Sequence, residues 1–203
     1  MKKENHKYLL VSAIAILLLV IVIGIYFFEL RPISIAVPKS CFEFEITEET
    51  IASYVDSGIV KSMEVQENSV FMTMNNGQYR NMMKNVCESA ENILNNIPLQ
   101  SATNNILSVN ANSDFSEFTV KLIDEEFTKE DTEIISTLNY IHYIYSCFAQ
   151  KNAVTIKLNL ISNKTGEVFG SVDLSHLFSG ELTEFETKFL SFYVAGNETF
   201  LIK

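Results

Sequence analysis

FTVKLIDEEFTKEDTEIISTLNYIHYIYSCFAQKNAVTIKLNLIS, residues Phe118–Ser162, holds two alternating segments around one helical segment. Phe118, Val120 and Leu122 recur every second residue and share one face of a strand, which starts at about residue 115. Ile134, Leu138, Ile141, Tyr145 and Phe148 then recur at helical spacing. Thr128 and Asp131 form a Thr-x-x-Asp start that resembles a capping box. Glu130, Asp131 and Glu133 lie at the positive end of that helix, where the macrodipole favours acids. Val154, Ile156, Leu158 and Leu160 return to a period of two.

Working outward, Ser162-Asn163-Lys164-Thr165-Gly166 reads as a hairpin loop with glycine at its left-handed position, and Val168–Val172 returns as a strand. The tail suggests another hairpin, 187–194 with 198–202, around Ala195-Gly196-Asn197. Upstream, residues 106–111 alternate and Asn112-Ser113-Asp114 signals a turn. A helix of about twenty residues precedes them, from Asn75-Asn76-Gly77 to Pro98. Its apolar stripe runs Tyr79, Met82, Met83, Val86, Ala90, Ile93, Leu94, Ile97. Residues 60–66 and 69–74 form a hairpin, with Val70, Met72 and Met74 on one face. Residues 47–56 read as a short helix capped by Thr47 and ended by Gly58. From 69 to 161 the order is strand, helix, strand, strand, helix, strand. This predicts an α+β fold with a ferredoxin-like βαββαβ core, both helices on one face of an antiparallel sheet and hairpins extending that sheet.

Three pieces, "FTVKLIDEEF", "LNYIHYIYSCF" and "VTIKLNLISNKTGEVFGSV", make the segment from Phe115 to Leu174 resemble uncharacterised small exported or lipoprotein-like proteins of Gram-positive bacteria. The resemblance covers about sixty residues. It implies a place in the cell envelope and carries over no active-site residue. The chain departs from that pattern: it has an apolar anchor, and Cys41 follows Pro38, Lys39 and Ser40 rather than a lipobox.

The anchor is Tyr8–Phe28, 21 residues without a charge. As a helix it is about 31 Å long, against a hydrocarbon core of about 30 Å. A core helix would show a polar stripe, and this run has none. A cleaved signal peptide would be shorter and end in small residues, whereas this run ends in Tyr26, Phe27 and Phe28. The expected reading is an uncleaved signal anchor. Lys2, Lys3 and Lys7 precede it with one acid, Glu4, so the N-terminus is expected in the cytoplasm. The expected organisation is a cytoplasmic tail at 1–7, a transmembrane helix at 8–28, a stalk at 29–42 kept extended by Pro32 and Pro38, with Ile33, Ile35 and Val37 alternating as in a short strand, and an extracytoplasmic α+β domain at 43–203.

Setting aside Lys2, Lys3, Lys7 and Glu4, the totals of 15 basic and 25 acidic residues leave 12 and 24, a formal charge of −12 for the exported part. No basic stripe exists to neutralise phosphates, so nucleic acid is not expected as a partner. Few Gly, Pro and Trp beside many Asn, Ile, Lys and Phe suggest an AT-rich, low-GC Gram-positive source. Sequons at Asn163 and Asn197 are read as chance matches in an Asn-rich chain. Cys41, Cys87 and Cys147 allow one bridge at most and form no CxxC pair, so Cys87 and Cys147 are read as small buried residues on helices.

The search for chemistry finds little. His6, His142 and His176 are the only histidines, with no HExxH and no His/Cys pair at metal-binding spacing. There is no GxSxG elbow, phosphate loop or dinucleotide fingerprint. His142 beside Tyr140, Tyr143 and Tyr145 is the most suggestive cluster, although tyrosines flanking a helix normally straddle core and water. Asp124, Glu125, Glu126, Glu130 and Asp131 could attract a hard cation but lack the glycine and spacing of an EF-hand. No catalytic, cofactor-binding or metal-ligating residue is assigned, and no cofactor is expected. The expected partners are the lipid bilayer, through residues 8–28, and another envelope protein. The expected role is a non-catalytic binding or assembly module. A component of a secretion or conjugation machine, by architectural analogy, and a surface hydrolase with an unplaced active site are the alternatives.

Overall fold

The computed structural model describes residues 16–26, 31–42, 44–101, 104–125, 131, 133–151 and 155–173. The fold is α+β, and the chain forms two compact units, Met1–Met82 and Met83–Lys203.

In the first unit, residues 16–25 are helical (α1) and close with a π-type turn at Tyr26, whose carbonyl accepts the Arg31 N–H at 2.9 Å. Among the described residues no helix is long and apolar enough to cross a membrane. The described turns cover only 16–26 of the expected span Tyr8–Phe28, and the rest of it lies outside the described residues. Strand β1 (Ile33–Pro38) follows, within the stretch expected as a stalk. Its alternation buries Ile35 and Val37, and Pro38 is tolerated because β1 is an edge strand. Helix α2 (Glu48–Asp56) starts at Thr47, whose Oγ1 accepts the Thr50 N–H at 3.2 Å. Gly58, at φ +72°, takes the left-handed conformation after its end, as expected.

Strands β2 (Ser62–Val65) and β3 (Ser69–Met74) form the expected hairpin. The sheet order is β1-β3-β2, all antiparallel. Ile35, Met72 and Met63 lie in one cross-strand row and Val37, Val70 and Val65 in the next. These rows make the buried face, while Ser34, Thr73 and Ser62 line the other.

Helix α3 (Asn76–Gln100) opens with a reciprocal cap. Asn75 Oδ1 accepts the Gln78 N–H at 2.8 Å, and Gln78 Oε1 accepts the Asn75 N–H at 2.9 Å. Pro98 was expected to bound this helix and instead lies inside its last turn. There a missing N–H removes one terminal bond rather than breaking a long ladder.

The second unit contains β4 (Ile106–Ala111), β5 (Glu117–Leu122), α4 (Glu133–Ala149), β6 (Lys157–Ser162) and β7 (Val168–Asp173). The sheet order is β4-β5-β6-β7. β5 and β6 are adjacent and parallel, joined through α4, and the other pairs are antiparallel. This corrects the ferredoxin-like expectation. That arrangement needs β3 beside β6, but both edges of β3 are taken by β1 and β2. The sheet is therefore mixed rather than antiparallel, and of the expected hairpins it is β6–β7 that extends it. The β6–β7 turn has Gly166 at φ +75°, and Ser162 Oγ accepts the Lys164 and Thr165 N–H groups at 3.1 and 3.3 Å.

Phe118, Val120, Leu122, Leu158 and Leu160 pack with Ala90, Leu94 and Ile97 of α3 and Ile135, Leu138 and Ile141 of α4. Burying each large side chain contributes about 1.5–3 kcal/mol. The expected tail hairpin 187–202 and Thr128 of the expected capping box lie outside the described residues.

Candidate functional site

His142 is turned from the inner stripe of α4 towards the β4–β5 loop and is buried, as is Ser146 one turn on. Its Nδ1 lies 2.9 Å from the Phe115 carbonyl oxygen. A carbonyl can only accept, so Nδ1 carries a hydrogen and donates it. Nε2 lies 3.4 Å from Ser146 Oγ.

The loop that presents Phe115 is held by its own polar groups. Asn112 Oδ1 accepts the Ser116 and Glu117 N–H groups at 3.0 and 3.1 Å, and Asn112 Nδ2 donates to Ser116 Oγ at 3.0 Å. Ser116 Oγ donates to Asp114 Oδ1 at 2.6 Å. Phe115 itself takes φ +53°, a left-handed conformation costly for a bulky residue. Its ring lies 5.2 Å from that of Tyr145. Lys151 Nζ sits 5.6 Å from the Tyr145 ring centroid and 3.3 Å from Asp114 Oδ2. The Ser116 hydroxyl holds the Asp114 carboxyl below its ordinary range; burial opposes it, and Lys151 adds to the lowering.

This arrangement ties a loop to a helix. Nucleophilic catalysis would require a serine reachable by substrate, with the second imidazole nitrogen facing an acid. Ser146 is buried, and Nδ1 of His142 faces a backbone carbonyl. Of the expected cluster, Tyr145 joins the tie, whereas Tyr140 and Tyr143 are exposed on α4. His6 and His176 lie outside the described residues.

The acidic stretch is divided. Asp124 pairs with Lys164 at 3.2 Å and its N–H donates to Asn105 Oδ1 at 2.9 Å, while Asp131 is buried. Glu126 and Glu130 lie outside the described residues. Among the described residues no group of three His, Cys, Asp or Glu side chains could hold a metal ion. All three cysteines are free thiols, and burial, then Glu91, pushes the Cys87 thiol up, away from a reactive thiolate.

One surface feature was missed at the sequence level. The Phe44 ring lies 5.9 Å from Phe42 and 6.4 Å from Tyr54 of α2, and Phe44 is 48% exposed. Two phenylalanines alternating with acids at 42–45 were the available signal. No family model, no curated protein and no solved structure matches this chain.

Proposed function

We propose that this is a single-pass membrane protein, anchored by Tyr8–Phe28 with its N-terminus in the cytoplasm, whose remaining chain works outside the membrane as a non-catalytic binding or assembly module. The observation that carries the reading is the exposure of α1. Ile16–Ile23, Ile25 and Tyr26 are each between 46% and 62% exposed. At about 100° per residue they cover every side of the helix. Such a helix gains about 1.5–3 kcal/mol for each large side chain moved from water into an apolar medium. Hydrocarbon satisfies all of its sides at once. The flanking lysines set the orientation. The non-catalytic part is supported by the tied, buried state of His142.

Leu99 is 82% exposed on α3 and gives the test. Leu99→Cys should react with a membrane-impermeant maleimide in intact expressing cells, above the background of the parent chain. Reaction only after lysis would overturn the orientation.

A further inference from the structure

We propose that the apolar surface along α2 is a docking site for a segment of another protein that presents apolar anchors flanked by lysine or arginine. This rests on the reading of the chain as a binding module and names the chemistry of its partner.

Helix α2 has no fully buried residue: of Ile51, Tyr54 and Val55, which recur along it at helical spacing, the first two are half-buried and Val55 is exposed. The surface continues beyond the helix on both sides. Phe44 packs on Tyr54, and the Ile59 N–H donates to the Tyr54 carbonyl at 3.0 Å, which places Ile59 beside the helix end. Val55, Ile59 and Phe44 are 36%, 44% and 48% exposed. Partly exposed aromatic and aliphatic side chains held by a folded scaffold are what interface anchors are made of.

Charge selects the occupant. Between Lys39 and Lys61 the sequence has five acids, Glu43, Glu45, Glu48, Glu49 and Asp56, and no base. Glu45 and Glu48 are exposed beside the apolar stripe, and Glu49 and Asp56 are exposed on the other side of α2. An anionic lipid surface and a nucleic acid are both repelled by such a rim. A second copy meeting it in a two-fold contact would set the same acids against each other. A basic, apolar segment matches both the rim and the centre.

The test uses the full chain in zwitterionic nanodiscs, with empty discs as the reference, and designed peptides as probes. A leucine/lysine amphipathic peptide should bind, and its glutamate counterpart should not. Phe44→Ser should weaken binding at least tenfold. Glu45→Lys should also weaken binding and flatten the salt dependence. Glu45 is exposed and precedes the Thr47 cap of α2, so this variant keeps the fold. Glu88→Lys, on exposed α3 surface, should leave affinity unchanged. Equal binding of both peptides, parent-like affinity in both variants, or equal weakening by Glu88→Lys would overturn the proposal. So would a blue shift of dye-labelled Phe44→Cys on added vesicles without peptide, which would assign the surface to lipid. Disc association abolished by Phe44→Ser would assign it to a second copy. A wrong orientation in cells would leave this measurement standing, and loss of peptide binding would leave the anchor reading standing.

Discussion

His142 shows what a side chain can hide from its own sequence neighbourhood. Its three nearby tyrosines invite a functional reading, but its decisive partner is the backbone carbonyl of Phe115, 27 residues away. No local pattern announces a carbonyl, because every residue has one. The left-handed Phe115 was equally illegible, since a bulky residue at positive φ is imposed by its surroundings. Removing the ring leaves a buried carbonyl unpaired and a cavity behind it. His142→Ala should therefore cost about 2–4 kcal/mol in urea unfolding, at an unchanged denaturant slope. A loss below about 0.5 kcal/mol, the range of ordinary surface changes, would show that the ring does not tie the loop.

At the scale of elements, the β4–β5 loop and the end of α4 are joined through Asp114, Ser116, Lys151 and Tyr145. The folded Asp114 carboxyl titrates below its ordinary value of 3.8, so the folded state favours the ionised form. The associated stability is present above that value and is lost as pH falls through the depressed folded value. Asp114→Asn should thus flatten the stability profile on the acid side of pH 3.8 and leave its shape near neutrality unchanged, read as melting temperature against pH. A parent-like acid limb in the variant would remove Asp114 from the tie. The elements themselves were largely legible, because alternation and helical spacing report which side chains turn inward. Partners were less so. A period of two tells a strand which face is buried and is silent about its neighbour, which is how β3 was expected in the wrong sheet. Pro98 was misread for a related reason: its cost depends on how many ladder bonds remain beyond it.

For the whole molecule, the apolar run and its flanking lysines were plain in the sequence, and they carry the proposed address. Alkaline carbonate should leave the full chain in the membrane pellet, since it strips proteins held by charge alone. Recovery in the supernatant would remove the anchor. The docking surface was the least legible part. It depends on α2 being only partly covered, a property of the folded chain rather than of any segment. The parallel pairing of β5 and β6 has a consequence in time. Glu117 meets Lys157 only after the 39 residues between them, including α4, have been gathered in. The neighbouring antiparallel pairs close over short turns and form early. If exported as proposed, the chain would emerge with these two hairpins ready and the sheet still open between them. The long closure of β5 on β6 would then take place beyond the membrane.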